Sequence, residues 1–259
     1  MDKAWIDGAL KVVFETLNSI RPELTAAHGN IKSKEKDDNT IVTELDRKIE
    51  ELLHTNLMAY DATIGFKGEE KGHRHEDQKE TFWLVDPIDG TEHFVRGALY
   101  CSSMVALIHK GEPIASVIDC FAANQRFVAI KGEGATLNGK PIQVSKTKKL
   151  KRSLIEIETN TAKKANLEIW KNVRNEIFGY TNFVAAGWGY SRVAMGEIDA
   201  RITKDGWGQD HDYAVGALLV SEAGGKVANI GSKTYDYKNL NFVASAPGIF
   251  GDLQKLLTA

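Results

Sequence analysis

Hydrophobic positions recur through the first twenty residues at the spacing of one helix face: Ala4, Ile6, Ala9, Leu10, Val13, Phe14 and Leu17. The stretch 32–39, KSKEKDDN, contains no apolar residue and reads as a solvated turn or loop. Thr43 then opens a second helix. Thr43 and Asp46 occupy capping-box positions, with Asp replacing the usual Glu or Gln, and Leu45, Ile49, Leu52 and Leu53 form the apolar face. The segments 62–66, 82–85, 102–109, 114–120 and 126–130 alternate or run apolar and predict strands, with a hairpin turn at Asn138-Gly139.

Beyond residue 150 the texture changes. A strand is predicted at 153–158 and a helix at 162–178, with Leu167, Ile169, Trp170, Val173 and Ile177 as its core positions. Residues 186–196 read as a helix despite their glycines, and 198–203 as a strand. A small-residue helix over 212–223 stops at Gly224-Gly225. A strand at 241–245 and a helix from Pro247 complete the chain. Strands mix with helices throughout, so the class is α+β or layered α/β. The expectation is one domain over 1–259. If it divides into two packed halves, 1–148 and 149–259, the break lies near SKTKKLKR at 145–152.

Composition narrows the function classes. A 42% hydrophobic and 26% charged chain of 259 residues is an ordinary globular protein with ample core. A net charge of −2 argues against general nucleic-acid or membrane-surface binding. Two cysteines, Cys101 and Cys120, form no CxxC and no disulfide framework, which favours a reducing compartment. Asp2, Asp7 and Glu15 interrupt the N-terminal region, so no signal peptide is expected, and a cytoplasmic location follows as an expectation.

The candidate chemistry lies in acids placed where elements begin or end. Asp86 and Asp89 close the run Phe82-Trp83-Leu84-Val85, Gly68-Glu69-Glu70 follows the segment 62–66, Asp46 sits in a helix opening, and Asp212 opens the small-residue helix. Pro87 is expected to turn the chain out of the strand so that the two aspartates converge. Gly90 admits a conformation closed to residues with a Cβ, and a helix starting there would present free amides suited to phosphate. Turn and capping chemistry explains Asp86 or Asp89 taken singly. It does not require Glu69, Asp46 and Asp212 as well, and clustered carboxylates suit Mg²⁺ or a similar hard cation.

With these residues in view, WLVDPIDGTEHF at 83–94, GEE at 68–70, VTELD at 42–46 and the D-x-A-x-x-x-L-L-V-S-E-A-G-G run at 212–225 resemble, in order, the motifs of the inositol monophosphatase family of lithium-sensitive, magnesium-dependent phosphatases. The resemblance spans nearly the whole chain. It implies a five-layered αβαβα sugar-phosphatase fold, a homodimer, and hydrolysis of a small polyol or sugar phosphate such as inositol 1-phosphate with two or three Mg²⁺ ions. By similarity, Glu69, Asp86 and the Ile88 carbonyl would hold one ion, while Asp86, Asp89 and Asp212 would hold another. A third would lie near Glu69. Asp46 and Thr91 would orient and help deprotonate the attacking water, and the Gly90 and Thr91 amides would bind phosphate. Substrate contacts would fall to Asp89, Ala186 and Asp205. The same resemblance admits fructose 1,6-bisphosphatase or 3′-phosphonucleotide phosphatase activity, or a regulatory RNA-polymerase-associated binding protein.

The sequence departs from the family pattern in three places. His211 precedes Asp212 where tryptophan is usual, His93 stands for an asparagine, and the small-residue pocket segment reads Val184-Ala185-Ala186-Gly187-Trp188-Gly189-Tyr190. The loop TKDGWGQD at 203–210 is also longer, which loosens the placement of Asp205. An aromatic wall from Trp188, Tyr190 and Trp207 competes with simple core packing. Glu70 reads as a supporting or loop carboxylate beside Glu69 rather than a direct ligand, since adjacent residues usually point apart, and Lys36 reads as a solvated loop lysine in preference to one that approaches the metal site. His73 and His75 read as loop residues, because no Cys or further His supports a zinc site.

Overall fold

In the computed structural model the described residues are 1–36, 41–70, 79–183 and 185–258. His73, His75 and Val184 lie outside them. The first helix, α1 (Lys3–Ala27), is capped by Asp2 and runs past Pro22. It buries Ile6, Ala9, Leu10, Val13 and Leu17 of the predicted stripe and carries it two turns further with Ile20 and Leu24, while Phe14 is half-buried and Ala4 exposed. A short pair, β1 (Lys34–Glu35) and β2 (Ile41–Val42), follows, and its first strand falls within the region expected as loop. Helix α2 (Glu44–Tyr60) starts at the predicted capping box: Thr43 caps the amide of Leu45, and the Asp46 carboxylate accepts from the Thr43 amide at 2.7 Å.

The large sheet has seven strands in chain order: β3 (Gly65–Gly68), β4 (Thr81–Asp89), β5 (Ser102–His109), β6 (Glu112–Cys120), β7 (Gln125–Ile130), β8 (Gly134–Leu137) and β9 (Lys140–Pro141). Only β3 and β4 pair in parallel. The turn at Asn138-Gly139 forms with both residues at positive φ, as that dipeptide favours. The second sheet has the order β11-β10-β12-β14-β13, from β10 (Leu154–Thr159), β11 (Gly179–Thr181), β12 (Ala200–Lys204), β13 (Lys226–Asn229) and β14 (Phe242–Ser245). The other helices are α3 (Thr91–Val95), α4 (Lys164–Glu176), α5 (Ala186–Ala194), α6 (Asp210–Glu222) and α7 (Pro247–Thr258).

Alternation along the strands distributes these elements into five layers. On β4, Trp83 and Val85 face α1 and α2, whereas Phe82 and Leu84 face α5 and α6. Phe242 and Ala244 bring the second sheet against that same α5–α6 layer, while Ile155, Ile157, Ala200, Ile202 and Val243 pack on α4 and α7. The result is the expected αβαβα stack. The middle core contains Leu84 and Met104 beside Tyr190 and Leu219, so it draws on chain from both sides of 145–152.

Three local expectations are corrected. The segment 62–66 becomes a strand only from Gly65, because Asp61 turns the chain by accepting from the Thr63 amide and hydroxyl. Asp212 is the third residue of α6, whose cap is Gln209. Pro87 does not end its strand: β4 continues to Asp89 through a register shift.

Candidate active site

That register shift builds the centre of the site. Asp86 pairs with Met104 and Asp89 with Ser102, so three steps on β4 match two on β5. In a regular strand, residues three apart point to opposite faces; one extra residue absorbed in a bulge lets both carboxylates converge. Proline suits this position because it cannot serve a regular ladder. The Pro87 carbonyl accepts from the Ser103 hydroxyl at 2.7 Å.

Asp212 arrives from α6, where its carboxylate accepts from the Gln209 amide at 2.5 Å. Carboxylate oxygens of Asp86, Asp89 and Asp212 all lie within 4.8 Å of one another. Asp89 is fixed from the opposite side: the Ala186 and Gly187 amides, at the start of α5, donate to it at 3.0 and 2.8 Å, and the Ser102 hydroxyl at 3.2 Å. Glu69 lies where β3 ends, its amide donating to the Val85 carbonyl at 3.0 Å.

Beside this trio, the Thr91 hydroxyl lies 3.2 Å from an Asp46 carboxylate oxygen and 2.9 Å from the Ile88 carbonyl. Asp46 also accepts from the Thr43 hydroxyl at 2.6 Å. Gly90 caps α3 at φ 76°, and an added Cβ would stand 2.4 Å from the Tyr100 carbonyl oxygen. Only glycine combines that left-handed backbone with that approach. Its own carbonyl accepts from the His93 and Phe94 amides.

The electrostatics are those of acids packed beyond what water-free surroundings tolerate. Burial, then Glu69, Asp212 and Asp89, pushes the Asp86 carboxyl well above the usual range. Burial and Asp212 raise Asp89 to about 7, although the Gly187 and Ala186 amides and Arg201 oppose this. Asp212 is raised chiefly by burial. Asp46 rises to about 6 for the same reason, against its bonds from Thr43. One Asp86 oxygen, Oδ1, is buried with no hydrogen-bond partner. Two buried carboxylates converging with a half-buried third, and an orphaned oxygen, match the hard-oxygen donor set of Mg²⁺, so the residues fit a divalent cation.

Of the two readings of Lys36, the structure shows the approach to the acidic site: it lies 2.8 Å from Glu69 and 2.5 Å from Glu70, and against burial these ion pairs raise its pKa. Glu70 is buried as a supporting carboxylate, past the end of β3 where strand alternation no longer applies. The Glu70 amide donates to Glu50 at 2.8 Å, and Glu50, raised to about 7 mainly by burial, is a further buried acid of this region. Its signal was available: Asp46 and Glu50 are four apart on α2, one helical face.

The aromatic wall does not form from the three residues considered. Tyr190 is core, stacked on Phe242 at 5.8 Å, and Trp207 is 66% exposed. Trp188 instead meets Tyr100 and Phe183, and Tyr100 also meets His93. Asp205 accepts from Asn166 at 3.0 Å and lies 3.4 Å from Lys163. His211 is buried, 3.6 Å from Asp212. Cys101 and Cys120 are both buried free thiols.

A five-layered αβαβα fold with a carboxylate cluster at the bulged end of β4 defines a phosphatase of the sugar-phosphatase fold. Comparison with known proteins places it more closely. The inositol monophosphatase family model matches residues 2–258, and the chain belongs to that family. It is 29% identical to an inositol monophosphatase of Dictyostelium discoideum over 99% of this chain and 97% of that one. It is 34% identical to inositol monophosphatase 2 of Saccharomyces cerevisiae, covering 82% and 78%. The solved extragenic suppressor protein suhB of Bartonella henselae superposes with a TM-score of 0.87 at 26% identity, covering 96% and 98%. Among the described residues, no helix is long and apolar enough to cross a membrane.

Proposed function

We propose that the chain hydrolyses the phosphate monoester of a small polyol or sugar, such as inositol 1-phosphate, with Mg²⁺ as cofactor. The observation that carries this reading is the trio Asp86, Asp89 and Asp212, the first two buried and the third half-buried, with oxygens within 4.8 Å of one another. Glu69, Asp86 and the Ile88 carbonyl would hold one ion, and Asp86, Asp89 and Asp212 a second. Bound Mg²⁺ would offset the carboxylate repulsion, make water a competent nucleophile near neutral pH and stabilise the leaving oxygen.

The remaining work falls to the protein. The Thr91 hydroxyl donates to Asp46, leaving its oxygen lone pairs to accept from a water molecule. Asp46, raised to about 6, is suited to take up the proton released as the water oxygen bonds to phosphorus. The ester P–O bond breaks on the opposite side, and the alcohol leaves with a proton from solvent. The amides of Gly90 and Thr91, at the opening of α3, would hold phosphate oxygens. The Ala186 amide serves substrate indirectly by orienting Asp89, and Asp205 is the candidate hydroxyl acceptor on the β12 side.

Phosphate release from inositol 1-phosphate and a panel of sugar phosphates, fructose 1,6-bisphosphate and a 3′-phosphonucleotide tests this. Mg²⁺-dependent release that is strongest on a monophosphorylated polyol or sugar is expected. Release from none of them with Mg²⁺ present would overturn the reading, and preference for the bisphosphate or nucleotide would replace its substrate class.

A further inference from the structure

Between the second sheet and the α5–α6 layer lies a charged network that the catalytic reading does not use. Arg201 on β12 is fully enclosed, with its guanidinium 2.6 Å from Glu156 and 2.5 Å from Glu158 on the neighbouring strand β10. Side-chain exposures of 2% for Arg201 and 1% for Glu156 exclude a surface ion pair. Taking these charges out of water carries a desolvation cost, which calls for something that the cluster fixes.

The second oxygen of each carboxylate answers that. Glu156 Oε1 accepts the amide of Phe183 at 3.0 Å, and Glu158 Oε1 accepts the amide of Trp207 at 3.0 Å and the hydroxyl of Tyr213 at 2.7 Å. The Tyr213 oxygen in turn accepts the amide of Gly208 at 2.8 Å. Phe183 leads into α5, whose first amides hold Asp89. Trp207 and Gly208 lead into Gln209, whose amide holds Asp212. Gly189 of α5 has no Cβ because one would stand 2.0 Å from Glu156 Oε2. A single guanidinium thus ties together the anchors of two loops, and each loop ends on one carboxylate of the trio.

We propose that Arg201 is a positioning residue: its planar fork, holding Glu156 and Glu158 together, sets the two loops that aim Asp89 and Asp212, and thereby sets the affinity for Mg²⁺. This rests on the reading of the trio as a Mg²⁺ site. A lysine would keep the charge but replace the rigid planar fork, whose two terminal nitrogens each meet one carboxylate, with a single nitrogen on a flexible stem that does not fix the spacing of Glu156 and Glu158. Glu158→Gln would weaken the guanidinium contact while affecting directly only the Trp207 side.

The test is calorimetric titration of Mg²⁺ into the full chain after chelation, for wild type, Arg201→Lys, Glu158→Gln and Leu253→Ala. Leu253→Ala opens a cavity in the outer core between α7 and the second sheet, so it lowers thermal stability without touching either loop. Mg²⁺ affinity at least tenfold weaker in Arg201→Lys and Glu158→Gln, with Leu253→Ala within twofold of wild type at a comparable loss of melting temperature, is the expected result. Wild-type affinity in folded Arg201→Lys, or an equal loss in Leu253→Ala, would overturn the positioning role. If Arg201→Lys does not fold, Glu158→Gln decides by the same criterion. Wild type that binds no Mg²⁺ would instead overturn the parent reading.

Discussion

Gly90→Ala is expected to destabilise the fold and to disturb the proposed phosphate site at the opening of α3. Gly90 sits at φ 76° and its missing Cβ would lie 2.4 Å from the Tyr100 carbonyl oxygen, a backbone atom that no rotamer change can move. Placing an L-residue in the left-handed region costs about 1–2 kcal/mol. Forcing a methyl into a packed site adds about 1–3 kcal/mol, for a total of about 2–5 kcal/mol. Gly111 supplies the control: its φ is 77°, yet nothing lies within 4 Å of an added Cβ, so Gly111→Ala carries only the first cost. For a chain of this size each kcal/mol lowers the melting temperature by about 2–4 °C. Thermal unfolding by circular dichroism is expected to drop further for Gly90→Ala, and only that variant is expected to lose most of its phosphate release. Equal drops for the two variants would refute the contact argument.

Three further outcomes follow from the site. Asp89→Asn removes a ligand charge and leaves one acceptor oxygen for the Ala186 and Gly187 amides; turnover is expected to fall at least about 100-fold while the fold persists, as circular dichroism and phosphate release would report. Thr91→Val removes the hydroxyl between Asp46 and Ile88, so kcat is expected to fall about 10²- to 10⁴-fold with Mg²⁺ affinity nearly unchanged, and Thr91→Ser to recover most of it. Asp89, raised from 3.8 to about 7, keeps its proton in the folded state where the unfolded chain has lost it. Its contribution to stability without metal is therefore full below pH about 4 and lost as pH rises through about 7. Melting curves after chelation should fall over that window, and added Mg²⁺ should raise the melting temperature more at pH 8 than at pH 5.

What was legible in the chain is what depends on neighbours in sequence. The acids stood out because Asp86 and Asp89 share one short run, and the capping box at Thr43 and Asp46 was readable for the same reason. The bulge that brings Asp86 and Asp89 together was not, because it exists only in the register with β5. The charged run around Lys36 could not choose between solvent and the acidic site, because its partners, Glu69 and Glu70, lie more than thirty residues away. The strand LIEIET shows the alternation of a half-exposed strand, yet both its faces are covered. Ile155 and Ile157 pack on α4 and α7, while Glu156 and Glu158 turn to Arg201 under α5 and α6. Alternation reports which residues share a face, and a polar face buried by a second layer looks the same as one facing water. Short strands such as β11 and β13, with three and four residues, carry too little pattern to register at all.

Asp86, Asp89 and Asp212 are proposed to act together as a cation site, with Asp86, a buried acid that has an unpartnered oxygen, at its centre. Calorimetric titration of Mg²⁺ at pH 7.5 into wild type and Asp86→Asn addresses that directly. Saturable binding by wild type, weakened at least tenfold in a folded Asp86→Asn, is predicted, a difference of about 1.4 kcal/mol or more. Equal affinity in the two proteins, or no binding by wild type, would contradict it.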